Sequence, residues 1–106
     1  MTIYRRLVAW QLAMDLLCDI YALAEELPRR EQFVLTQQLC KAALSIPSNI
    51  AEGRGRGTRK DFRHFVMQAR GSLYEVETQI TAAQKLGYIG TDLEPSCYRN
   101  RIACRW

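Results

Sequence analysis

The sequence is poor in the groups that carry out chemistry. It has one histidine, His64, so no histidine pair is available to share a metal or a proton. Its four cysteines, Cys18, Cys40, Cys97 and Cys104, contain no C-x-x-C pair. That spacing removes the usual zinc and dithiol motifs, and no metal or other cofactor is expected. Long apolar runs are missing as well. Nothing approaches the ~18 uncharged residues of a membrane span, so no membrane contact is expected. No alternating β-branched run occurs, which leaves no strand signal. Arg5-Arg6 ahead of Leu7-Val8-Ala9-Trp10 has the outline of a signal peptide, but Gln11, Asp15 and Asp19 interrupt it. The expectation is a cytoplasmic chain whose cysteines are buried free thiols.

What is present describes one folded domain over residues 1–106. Hydrophobic residues make up 48% and charged residues 25%, a balance that separates the chain from disordered and collagen-like sequences. The net charge of +4 is concentrated in one place. Between residues 53 and 70, Arg54, Arg56, Arg59, Lys60, Arg63 and Arg70 face only Asp61, a local excess of five. The remaining segments nearly cancel. A focused basic segment points to an anionic partner, most often nucleic acid. An ordinary solvated surface is the alternative.

Apolar spacing divides the chain into four helices. The first is predicted over residues 2–27, with Leu7, Trp10, Met14, Leu17, Tyr21 and Ala24 as its seam and Pro28 as its stop. The second is predicted over 32–52. Leu35, Leu39, Ala42, Ala43, Ile46 and Ile50 form one apolar face. Cys40, Leu44, Pro47 and Ala51 form another beside it, so the apolar arc is about 200° wide where a surface helix needs about 100°. Pro47 predicts a bend, and Gly53 the stop. Ser48 and Asn49 read as hydrogen-bonding the bundle interior or an interface. Gly53 to Gly57 then reads as a flexible basic loop.

Thr58 is an N-cap, with Asp61 three residues on, for a third helix over 58–86. Phe62, Val66, Ala69, Leu73, Val76, Ile80 and Ala83 keep a strict 3.5-residue period. Gly87 stops this helix and Tyr88 closes its end. Thr91 to Glu94 reads as a capping box for a short fourth helix over 92–104, with Cys97 and Cys104 on one face. The fold class is all-α, an antiparallel up-down four-helix bundle with a short fourth helix.

No catalytic set assembles from these residues. Lys41 and Ser45 stand four apart, as a Ser–Lys dyad would, but nothing supplies an oxyanion hole. Glu75 and Glu77 point to different faces, and His64 has no nucleophile beside it. Gly53-x-Gly55-x-Gly57 follows a helix rather than a strand, so it is not a dinucleotide fingerprint. Its backbone N–H groups beside a helix N-terminus favour any anion, and a plain flexible connection is equally open. Arg59, Arg63 and Arg70 fall within about 40° of one another on the third helix, placed to line a groove or the channel of a ring.

Ser45-Ile46-Pro47-Ser48-Asn49-Ile50-Ala51-Glu52-Gly53 resembles a motif of a bacterial family. These are four-helix-bundle proteins encoded in intervening sequences of 23S rRNA genes, related to the accessory variability proteins of diversity-generating retroelements. Tyr4, Trp10 and Ala13 in the first helix, Pro28, Glu31 and Gln38 around the start of the second, and Phe65, Gly71-Ser72-Leu73, Glu77-Thr78-Gln79 and Leu86-Gly87-Tyr88 in the third support the resemblance over residues 4–95. It implies a ring of five subunits. For the retroelement relatives it implies binding to nucleic acid and to a reverse transcriptase. The chain departs from that pattern after Pro95. Relatives carry a longer, acidic, leucine-rich last helix, whereas Ser96 to Trp106 is short, basic and cysteine-bearing, and reads as a truncated or frameshifted ending.

The leading expectation is a non-enzymatic oligomer that binds RNA or DNA with low sequence specificity through the six basic residues of 53–70. With six phosphate contacts on duplex DNA, log K would fall against log salt with a slope of about −5. Base stacking is expected to be minor. Cys40, Leu44, Pro47, Ala51, Met67 and Tyr74 are the expected oligomer interface, since they are apolar and lie outside the main seams. A protein-interaction scaffold is the alternative. A nuclease or hydrolase is third, for want of acid pairs and metal ligands.

Overall fold

The computed structural model describes residues 3–106. Among them are a 3₁₀ turn at Ile3–Arg6, α1 (Val8–Ala24), a second 3₁₀ turn at Arg29–Glu31, α2 (Leu35–Gly55), α3 (Arg59–Lys85) and α4 (Cys97–Ile102), with no strand. α2 and α3 share the most extensive contact, α1 packs on α2, and α4 bridges α1 and α3. The result is a four-helix bundle measuring 43 × 24 × 22 Å.

α3 forms as its sequence dictates. The Thr58 hydroxyl accepts the Asp61 N–H at 3.1 Å and satisfies one donor of the open first turn. Val66, Ala69, Leu73, Val76, Ile80 and Ala83 are buried along the predicted seam. At the far end Gly87 takes φ +79°, where an L side chain would be strained. The Tyr88 N–H then reaches the Ala83 carbonyl at 2.9 Å and the Gly87 N–H reaches Gln84 at 3.0 Å. This is the paired closure of a Schellman end.

α1 differs from expectation in bounds and register. Thr2 lies outside the described residues. The chain is extended at Leu7, and Tyr4 stands edge-on to Trp10 at 5.4 Å, so the first turn folds back instead of continuing the helix. The buried residues are Ala9, Ala13, Leu16 and Ile20 rather than the predicted seam, and Tyr21 is 52% exposed. The two small alanines sit on the buried line, while Leu7, Trp10 and Leu17 pack from its flank. Glu25, Glu26 and Leu27 bond to carbonyls three residues back, which tightens the last turn ahead of Pro28.

α2 starts later and ends later than predicted. Residues 29–34 form turns, and the Glu31 carboxylate receives the Leu35 N–H at 3.4 Å and the Tyr88 hydroxyl at 2.9 Å. The helix runs without interruption through Pro47. Ser48 and Asn49 bond the carbonyls of Leu44 and Ser45 in their own helix rather than the bundle interior. Ser45 reaches across instead, bonding Ser72 on α3. Gly53 is not the stop. It is buried inside the helix, and a Cβ placed on it would lie 2.8 Å from Phe65 Cβ and 3.2 Å from Phe62 Cα. The left-handed residue that ends the segment is Gly57, at φ +83°.

α4 is far shorter than the predicted 92–104, and the capping box at Thr91 does not form. Gln84 donates to the carbonyls of Leu93 at 2.7 Å and Gly90 at 3.3 Å, holding residues 90–93 against α3 as a non-helical strap. Glu94 turns to Ser96 instead. Tyr98 and Ile102 are buried. The Tyr98 hydroxyl donates to Asp19 at 3.2 Å, and burial first, then the Asp19 charge, raise its pKa from 10.0 to about 12. Arg99 forms a bidentate pair with Glu77 at 2.8 and 3.1 Å. The basic tail therefore packs. The thiols are less buried than expected: Cys18 and Cys104 are exposed, Cys40 and Cys97 half-buried, and all four free. Cys104 lies beyond α4 and shares no helix face with Cys97.

Two predictions follow from this packing. Gly53→Ala destabilises by about 1–3 kcal/mol through overpacking, despite the better helix former. Gly55→Ala, with open space around it, stabilises by roughly 0.5–1 kcal/mol. Urea unfolding reads both, and a stabilised Gly53→Ala would contradict the close approach. The Arg99 hydrogen bond holds the Glu77 carboxyl below its ordinary 4.5. A depressed carboxyl stabilises the fold fully above that ordinary value, and the contribution fades as pH falls through the lowered one. Arg99→Ala is thus expected to lower the melting temperature at neutral pH and to match the parent in strong acid. A gap independent of pH would assign the effect to lost packing.

Candidate nucleic-acid interface

The close approach at Gly53 sets α2's last turn against α3's first two. Gly57 reverses the chain, and Thr58 begins α3 from an extended conformation. The Arg59 and Lys60 N–H groups, at the first two helical positions, have no carbonyl within the helix to bond, and the positive end of the α3 dipole adds to them. Between the two helix ends lies a cleft of about 860 Å³ lined by Gly53, Arg54, Gly57, Thr58, Arg59, Lys60, Phe62 and Arg63.

Four of the six predicted cations meet there: Arg54, Arg59, Lys60 and Arg63. All are exposed, and none pairs with a carboxylate among the described residues. Two cations are placed elsewhere. Arg56 is tied to Glu52 at 2.9 Å and stands over the Phe65 ring at 5.2 Å. Arg70 is further along α3, over the Tyr74 ring at 5.8 Å and outside the cleft. Phe62 is the residue that the sequence reading assigned to the core. The structure leaves it half-buried in the cleft wall, with the Arg54 guanidinium 6.0 Å from its ring centre. Its signal was positional. It is the first residue of the seam, next to the glycine turn, where the bundle has least depth to cover it.

The family model of the 23S rRNA-intervening sequence protein matches residues 5–100. The chain belongs to this family. A comparison with curated proteins finds none that matches. Within the Ser45–Gly53 segment, Gly53 makes the close helix contact with α3, and Ser45 meets Ser72 of the Gly71-Ser72-Leu73 segment.

The predicted interface residues divide. Leu44, Met67 and Tyr74 are 49%, 52% and 44% exposed, and Cys40 and Ala51 are half-buried. Pro47 is already buried within one chain and adds no surface, a correction to its place on the outer face. The Tyr74 ring lies beside two guanidinium groups, those of Arg70 and, at 5.1 Å, Arg99. Phe33 and Val34, 78% and 63% exposed in the α1–α2 link, are apolar surface that the helical periodicity did not single out.

Lys41 and Ser45 border a smaller groove of about 240 Å³ with Gln38, Ser72 and Glu75. Ser45 is bonded to the Ala42 carbonyl and to Ser72, and Lys41 is not bonded to it. His64 bonds Gln68 at 3.0 Å. Among the described residues no helix is long and apolar enough to cross a membrane, and no three His, Cys, Asp or Glu side chains group to hold a metal.

Proposed function

We propose that this chain is a non-enzymatic, self-associating bundle that binds RNA or DNA through the cleft between α2 and α3. The carrying observation is the convergence of Arg54, Arg59, Lys60 and Arg63 on one concavity whose lining holds no carboxylate; among the described residues none of the four forms an ion pair, Asp61 in the same turn included. Unpaired cations beside a helix N-terminus favour phosphate over other partners. The resemblance to retroelement accessory proteins supports the same reading and adds a reverse transcriptase as a protein partner. Self-association is supported by the exposed Leu44, Met67 and Tyr74, which lie on the outer sides of α2 and α3. A count of five subunits rests on the family resemblance.

One experiment with two readouts tests this. Light scattering of the protein alone is expected to give a multiple of the 12.3 kDa chain mass, five-fold on the family reading. Fluorescence anisotropy with a labelled oligonucleotide is expected to lose affinity with salt, at a slope of about −3 to −4 for four phosphate contacts. Arg54→Ala/Arg59→Ala/Arg63→Ala flattens that slope, and Arg70→Ala leaves it in place. Affinity that ignores salt and the triple substitution would favour a protein-binding scaffold. Cleavage of the oligonucleotide in magnesium would contradict the non-enzymatic reading.

A further inference from the structure

We infer that the cleft is a site for single-stranded nucleic acid, with a base resting against Phe62. This rests on the nucleic-acid reading above and adds the class of strand. A flat basic patch can serve a duplex, which offers its outer phosphates to it. This site has a different shape. At about 860 Å³ it is a concavity, half open to solvent, rather than a flat patch. Its cations share the wall with one aromatic ring. Arg54 lies 6.0 Å from that ring's centre, so a guanidinium plane and an aromatic face occupy the same corner.

A single strand can use both features. Its phosphates meet Arg59, Lys60 and Arg63 while an unstacked base meets Phe62. A duplex keeps its base faces inside the stack and leaves Phe62 without a partner. The lining holds no Asn, Gln, Asp or Glu. The side chains that pair with adenine and cytosine edges are therefore missing, the cations that could read guanine are engaged by phosphates, and stacking tolerates every base. The preference is for strand form rather than sequence.

The test is anisotropy with an oligo-dT strand and with a duplex of the same length, for the parent protein, Phe62→Leu and Phe62→Tyr. Stacking of one base is worth about tenfold in affinity. The parent is expected to favour the single strand by about that factor. Phe62→Leu brings the ratio of the two affinities close to one, and Phe62→Tyr, which keeps a ring, restores it. Duplex binding by Phe62→Leu shows that its cations are still assembled. A duplex that binds as tightly as the single strand, or a ratio indifferent to Phe62→Leu, overturns the inference and leaves the nucleic-acid reading standing. Binding to neither overturns both.

Discussion

The close approach of two backbones at Gly53 organises this molecule. The residue has no Cβ, and the space that one would occupy is filled by Phe65 Cβ and the Phe62 backbone. α2 and α3 therefore meet in their last and first turns, and the reversal between them takes only Arg56 to Thr58. Three consequences follow from that geometry. Arg54 from one helix and Arg59, Lys60 and Arg63 from the other converge on one concavity. Phe62, at the edge of the contact, is drawn into the wall instead of the core. The N-terminus of α3 opens into the same space, with its first N–H groups unspent.

The opposite end of the bundle is held by different chemistry. There Glu31 joins the α1–α2 link to the end of α3 through the Tyr88 hydroxyl, and Arg30 lies over the Tyr88 ring at 5.3 Å. Gln84 secures the strap that leads to α4. The tail then closes the side of the bundle with Ile102, with Tyr98 bonded to Asp19 and with a bidentate ion pair. Tyr98 and Ile102, four apart, are enough to seat one and a half turns. The chain thus keeps a fourth helix at one end while the cleft end is built from α2 and α3 alone.

Legibility in the sequence followed the locality of the forces. α3 was readable almost to the residue, because its cap, seam and stop are set by side chains within a few positions of one another. α1 was readable as a helix but not in register. Its apolar residues spread around a wide arc, and the choice of Ala9 and Ala13 as its buried line depends on how closely α2 approaches. Gly53 was read as a stop because glycine commonly ends helices, whereas its role here comes from a neighbour that only the fold brings near. The capping box at Thr91 is absent because Glu94, its acidic partner, accepts from Ser96 instead, while Gln84 from another element holds the carbonyls of Gly90 and Leu93. Of the site, the four cations were legible as charge. Their separation from Arg56 and Arg70 was not, since it depends on Glu52 and on the distance along α3.

A contact made possible by one glycine brings four cations into one cleft at the end of the bundle, the cleft proposed to bind nucleic acid. Amide chemical shifts, followed by NMR as an oligonucleotide is added, test it most directly. The largest changes are expected on residues 53–63, with the α1–α2 link around Phe33 and Val34 nearly unmoved. Changes centred on that link, or spread evenly over the surface, would contradict it.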